Sequence, residues 1–297
     1  MKHEKKVLTM TLNPCIDRTI YFKNFKQGAT NYVDKQTEEA AGKGINVAIA
    51  LAHIGVPVKV LGFSYSENAA CLYEKLDAER VLYEFVELPG RMRINQKLFD
   101  LSTKEMTECN ERGAQVSEEA LLKVLTLLEK ELDEAAILVL SGSVPPGANK
   151  DIYARMIRMA HEKGVKTILD ASGELMRLGC MEKPYLIKPN KEEFMEVFLT
   201  DGEEKMCKVA GELVASGISH VCISLGKEGL LLINENGVRK YPAKPADVQS
   251  LQGAGDAMVA GFCKAIIEND EKNMAEYALL MAASTISLPG TCMGTLE

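Results

Sequence analysis

The sequence holds no C-x-x-C pair and no H-E-x-x-H, although it has eight cysteines and four histidines. The cysteines are scattered over positions 15 to 292, and His3, His53, His161 and His220 stand equally far apart, so no zinc set is expected. Unpaired cysteines suit a reducing cytosol, where most behave as small buried hydrophobes. No block of Lys and Arg exceeds two or three residues, and the formal charge is −7. That balance disfavours nucleic acid, whose phosphates need a basic surface. A small phosphorylated ligand held by a few placed cations stays compatible with it. No uncharged apolar run reaches the length of a membrane span. The basic start MKHEKK leads into VLTMTLNPC, which breaks at Asn13-Pro14 before a signal-peptide core can form. A cytoplasmic protein with no membrane partner is expected.

What is present is a large core: 46% of the 297 residues are apolar and 26% charged. VLTMTL (7–12), VKVLGF (58–63), AILVLSGS (136–143), VKTILDAS (165–172), YLIKPN (185–190) and HVCISLG (220–226) read as buried strands. Amphipathic stretches separate them, most clearly SEEALLKVLTLLEKELDE, where Leu121, Leu125, Leu128 and Leu132 return on one face. Such alternation predicts a mostly parallel sheet covered by helices. Two stretches, about 18–37 and 82–109, instead alternate polar and apolar residues around Gly and Pro-Gly turns. They read as antiparallel ribbons forming a lid on a single domain, with no linker or repeat dividing residues 1–297.

Ligand sites in open α/β sheets lie beyond the carboxyl ends of the strands, so the residues after each strand are the candidates. The final helix opens with GAGD. Backbone N–H groups at a helix start attract anions, and Gly253, Ala254 and Gly255 leave them uncovered. Asp256 beside such a site fits a base that takes a proton from an attacking hydroxyl; an acid stabilising the first helical turn is the plainer reading. AAGKGIN is no Walker A loop, because it lacks the earlier Gly and the following Ser or Thr. It still offers Gly42, Lys43 and Asn46 at a helix entrance. In KPNKEEF, Glu193 suits the water shell of Mg²⁺, or simply helix-dipole compensation. RMRIN places Arg91 and Arg93 on one face of a strand, a grip for phosphate or an ordinary soluble surface. SGSVPPG carries hydroxyls on a turn.

Taken in order, NPCID, AGKGINVA, RMRIN, SGSVPPG, LDASG, IKPNKEE, SLGKEG and GAGDAMVAG resemble the ribokinase/PfkB sugar-kinase family over roughly residues 7–290. TLNPCID and AAGKGINVA are similar to the branch holding 1-phosphofructokinase and tagatose-6-phosphate kinase, and RMRINQKL leans to the former. The resemblance implies a ribokinase-like three-layer α/β/α core with a mostly parallel sheet, and a small β-sheet lid that clasps a second subunit into a homodimer. It implies ATP with Mg²⁺, a monovalent cation as an optional accessory, and fructose 1-phosphate as acceptor. Tagatose 6-phosphate, and a non-catalytic sugar-phosphate sensor on the same fold, are the alternatives. By residue, it implies sugar contacts at Asp17, Gly42, Lys43, Asn46, Arg91, Arg93 and Ser141. Asp256 becomes the base and Gly253-Ala254-Gly255 the anion hole. The nucleotide falls to Lys188, Asn190, Ser224, Gly226 and Gly229, and Mg²⁺ to Glu193 through water. Some residues depart from the family pattern: Leu251, Gln252 and Ala257 around GAGD, and Cys109 and Arg112 around the N-E-P-G-type segment of the lid. A hydrogen bond or two near the anion hole is expected to be missing.

Overall fold

A computed structural model describes residues 5–296; His3 and most of the basic start lie outside the described residues. The chain opens with β1 (Lys6–Thr11), β2 (Cys15–Phe22), β3 (Lys35–Ala41) and α1 (Lys43–His53). It continues through β4 (Val58–Tyr65), α2 (Ala70–Ala78), β5 (Leu82–Leu88), β6 (Arg93–Asp100) and β7 (Met106–Asn110). Next come α3 (Glu118–Leu132), β8 (Ala135–Ser141), α4 (Ile152–Glu162), β9 (Lys166–Asp170), α5 (Gly173–Met181), β10 (Leu186–Ile187) and α6 (Lys191–Phe198). The last part holds α7 (Glu203–Ala215), β11 (His220–Ser224), β12 (Leu230–Asn234), β13 (Gly237–Tyr241), α8 (Ala254–Ile267) and α9 (Met274–Ile286).

Nine strands form the main sheet in the order β13-β12-β11-β10-β9-β8-β1-β4-β5. All neighbours are parallel except at the β11-β12-β13 edge, which is antiparallel. Central strands such as β1 and β8 are buried on both faces, which explains why charged residues do not alternate along them. Layers of helices cover the sheet: α1, α8 and α9 pack together, while α3 to α7 contact one another in succession. In α3 the four periodic leucines are buried and Ser117 caps the start by accepting from the Ala120 N–H at 3.2 Å. Each such leucine contributes about 2 kcal/mol by leaving water.

The lid is the four-stranded sheet β3-β2-β6-β7. It differs from the expected pair of antiparallel ribbons in two ways. Residues 82–88 belong to β5, an edge strand that pairs in parallel with β4 from Lys59↔Leu82 to Tyr65↔Leu88. Their alternation reflects an edge strand half open to solvent, and only residues from 93 onward reach the lid. Within the lid, β2 and β6 are parallel, from Cys15↔Arg93 to Phe22↔Asp100, because both strands rise from the same edge of the core. The sequence reading also passed over the β12–β13 hairpin, which follows the last strand it recognised.

Candidate active site

The parallel strands present their carboxyl ends along one edge, and two buried carboxylates dominate it. Asp170, the last residue of β9, is fully buried. Both its oxygens receive Lys43 Nζ, at 3.1 and 3.2 Å, and Oδ1 also receives Lys188 Nζ at 3.1 Å. Burial alone would push the Asp170 carboxyl up, but the Lys188 and Lys43 ammoniums hold it below the usual range. Lys43 opens α1 and keeps 40% of its side chain exposed, whereas Lys188 keeps 4%. One lysine can therefore reach a ligand freely, while the other is locked against the protein.

Asp256 lies in the first turn of α8 and is 6% exposed. Its Oδ2 accepts from Asn46 Nδ2 at 2.8 Å. Burial pushes its carboxyl up to about 6, against the opposing pull of Lys43. The two glycines ahead of it suit their surroundings. Gly253 caps α8 at φ 76°, and a Cβ there would come within 2.3 Å of Met293 Cε. A Cβ on Gly255 would come within 3.2 Å of Lys188 Nζ. Glycine thus keeps the helix start bare and lets an ammonium lie over it, so backbone N–H groups, the helix dipole and a cation converge on one anion-sized place.

A cavity of about 270 Å³ opens beside this cluster, lined in part by Thr11, Asn13, Gly42, Lys43, Arg93, Ser141 and Glu193. Buried Thr11 Oγ1, Asn13 Oδ1, Ser141 Oγ and Asn46 Oδ1 have no hydrogen-bond partner within the described residues. Unsatisfied buried polar atoms are costly, and Thr11, Asn13 and Ser141, which line this cavity, suit a ligand rich in hydroxyls.

The predicted residues fall into three groups. Gly42, Lys43, Asn46, Arg93, Ser141, Lys188, Glu193 and the GAGD segment lie in or against this cluster and its cavity. Asn190 and Glu193 form a reciprocal capping box on α6, each bond 2.8 Å, which engages Glu193 Oε2. Ser224 bridges to Asn190 at the end of β11, and Gly226 opens the one-turn helix that follows. Gly229 has a packing reason of its own, since a Cβ would meet Tyr241 O at 1.9 Å.

Two predicted residues are placed differently. Arg91 turns to Glu111 at 3.1 Å and lines neither this cavity nor the one next to it. Asp17 is paired with Lys97 at 2.6 Å and receives Asn95 Nδ2 at 3.0 Å, away from the cavity wall. Lys97 also donates to Gln252 Oε1 at 3.0 Å, which ties the lid to the loop before α8. Among the family departures, Gln252 thus gains a partner, Leu251 stands 74% exposed, and Ala257 is fully buried within α8. Sequence reasoning missed Asp170, Asn13 and Lys97. LDASG and NPCID flagged two of these neighbourhoods, but nothing in either segment marks which residue would meet the lysines or the cavity.

The model of the pfkB family carbohydrate kinases matches residues 10–296. The chain is 32% identical to the 1-phosphofructokinase of Vibrio cholerae over 99% of its length and 93% of that protein's. Among solved structures, phosphofructokinase-2 from Escherichia coli in complex with potassium superposes with a TM-score of 0.92 at 26% identity, covering 98% of this chain and 96% of that one. Ribokinase from Thermotoga maritima superposes with a TM-score of 0.79 at 19% identity, covering 97% and 94%, which supports the ribokinase-like fold. The chain belongs to the pfkB family of carbohydrate kinases and is a phosphotransferase.

Proposed function

We propose that this member of the pfkB family transfers the γ-phosphoryl group of ATP to the free hydroxyl of a ketohexose monophosphate. Fructose 1-phosphate is the substrate and fructose 1,6-bisphosphate the product. The observation that carries this reading is the state of Asp256: a buried carboxyl pushed up to about 6, at a helix start kept bare by glycine, beside Lys43 and Lys188. Similarity to the 1-phosphofructokinase of Vibrio cholerae supports the choice of sugar.

In this mechanism Asp256 Oδ2 stays on Asn46, and the other carboxylate oxygen takes the proton from the attacking hydroxyl. The hydroxyl oxygen bonds to the γ-phosphorus while the bond to the β,γ-bridging oxygen breaks, releasing ADP. Lys43, Lys188 and the N–H groups of residues 253–255 stabilise the charge on the transferred group. Asp170 holds the two ammoniums in place, so little reorganisation is needed during the reaction. Thr11, Asn13 and Ser141, which line the cavity with unpartnered polar atoms, receive the sugar hydroxyls.

Mg²⁺ fits at Glu193, which lines the cavity with Oε1 unengaged; no trio of His, Cys, Asp or Glu among the described residues forms a protein cage. An ion that keeps several waters needs only one such carboxylate plus the phosphates, whose charge it neutralises. The nucleotide itself is assigned to Asn190, Ser224, Gly226 and Gly229, along the same sheet edge. ADP release with Mg²⁺-ATP, compared across fructose 1-phosphate, tagatose 6-phosphate and fructose 6-phosphate, tests the reading. A clear preference for fructose 1-phosphate is expected; no turnover of any of them would leave the sensor alternative.

The same reading includes a second copy covering the lid. Residues 35–39 and all of β7 are exposed in unbroken runs, not on alternate positions, so both faces of the lid edges are bare. Ile20, Phe22 and Val33 are the apolar ribbon residues that a monomer is expected to leave poorly covered; Val33 is 52% exposed and Ile20 half-buried, whereas Phe22 is already buried against Phe25. Light scattering should give a dimer mass; a monomer mass independent of concentration would contradict it.

A further inference from the structure

We propose that Arg112 and Lys150 hold the phosphate group that the sugar already carries, in a second cavity adjoining the first. This rests on the sugar-phosphate reading above and adds the residues that make the substrate's charge a requirement. The second cavity, about 530 Å³, shares Asn13, Arg93 and Ser143 with the first, so the two adjoin along a common wall. Lys43 lines the first, next to Asp170 and Asp256; Arg112 and Lys150 line the second. A molecule with a reactive hydroxyl at one end and a dianion at the other matches that polarity.

The second cavity carries an uncompensated positive charge in a chain whose net charge is −7. Arg93, Arg112 and Lys150 line it, and Glu111 is the one acid on its wall. Glu111 is already engaged: Oε1 by Arg91 at 3.1 Å and Oε2 by the Ile94 N–H at 2.9 Å. Arg112 and Lys150 are exposed, and neither side chain has an ion pair or hydrogen bond with the described residues. Arg93, by contrast, is fixed. Its Nε donates to Asn13 O at 3.2 Å, and Nη1 donates to Asn95 Oδ1 at 3.2 Å and Glu111 O at 3.0 Å, leaving Nη2 for a ligand. Ser143 Oγ accepts from Asn13 Nδ2 at 3.1 Å, which frees its O–H to donate. One rigid guanidinium, one oriented hydroxyl and two free cations suit a tetrahedral dianion with several acceptor oxygens. Where the N-E-P-G-type lid segment has proline, this chain has Arg112, which adds a positive charge to the wall.

Steady-state kinetics with fructose 1-phosphate on Arg112→Ala, Lys150→Ala and the double variant test the proposal, alongside calorimetric binding of fructose 1-phosphate without nucleotide. Each single change should raise KM for the sugar phosphate about tenfold and the pair roughly 100-fold, the scale of charge-assisted hydrogen bonds. kcat and KM for ATP should stay within about twofold, since charges removed far from the reacting groups weaken ground and transition states alike. Arg112→Met, which keeps the bulk and removes the charge, should weaken binding as much as Arg112→Ala, an outcome that a purely steric role would not give. Wild-type KM in the double variant, or a fall in kcat with KM unmoved, would overturn the assignment while leaving the kinase reading intact. Binding without turnover, weakened in the double variant, would keep the pocket and remove the kinase reading. Neither binding nor turnover in the wild type would remove both.

Discussion

Two clusters built from similar groups stand at opposite ends of the same strand, β9. At its carboxyl end Asp170 meets Lys43 and Lys188, with Asp256 alongside. At its amino end Lys166 meets Glu271 at 2.7 Å and lies over the Tyr185 ring at 4.2 Å, with His220 Nε2 at 3.3 Å from Tyr185 Oη. Both ends therefore bring lysines to partly or wholly buried carboxylates. Burial would raise Glu271, yet hydrogen bonds from Lys166 and Tyr185 bring it below the usual range. Asp256 goes the other way, up to about 6, because burial outweighs Lys43 and Asp170 adds a like charge. Burial by itself does not make a carboxylate reactive; burial beside cations that already serve another carboxylate does.

The largest expected effect breaks this comparison at Asp256. Asp256→Asn should lower kcat by about 10²–10⁴-fold, the usual range for a general base. In the wild type, kcat should be flat above pH ~7 and fall about tenfold per unit below about 6, as the carboxylate takes up its proton. The stability sign runs opposite to a salt bridge. An unfolded aspartate ionises near ~3.9, so ionising the buried group between that value and about 6 destabilises the fold. The Asn variant should therefore melt no lower than wild type at pH 8, and a marked fall in Tm would mean that Asp256 is structural.

Asp170→Asn comes next. It leaves two ammoniums without their carboxylate, one of them only 4% exposed, and should cost about 3–5 kcal/mol of stability. The smallest change belongs to the other end of β9. Glu271 is 35% exposed, so Glu271→Gln should cost about 1 kcal/mol or less and leave kcat unchanged. Denaturant unfolding of both variants sharpens the contrast. Equal losses at the two ends would show that the Asp170 cluster is no more tightly coupled than a surface ion pair.

Much of the fold was legible because its periodicities are local. The buried strands, the leucine face of α3 and the helix starts at Lys43 and Ala254 each follow from side chains a few residues apart. β5 was misread because alternation is the same for a ribbon and for a half-exposed edge strand; only its pairing with β4 separates them. Arg91 and Arg93 are chemically equivalent in the sequence and two residues apart in the chain. The Glu111 carboxylate occupies Arg91, whereas Arg93 is held through backbone carbonyls and Asn95 and still lines both cavities.

The sequence by itself determined the class of fold, the bare helix start and the aspartate that follows it. Glycine's freedom and an acid's chemistry are properties of single residues, readable without a partner. Tertiary structure alone decided which charges face one another. Asp170, Lys43 and Lys188 come from a strand end, a helix start and a strand-to-helix turn as many as 145 positions apart, counted from Lys43 to Lys188, and only their convergence on a fully buried carboxylate turns ordinary residues into a cation pair with a buried counter-ion. Electrostatic strength depends on distance and burial, which the linear chain does not carry.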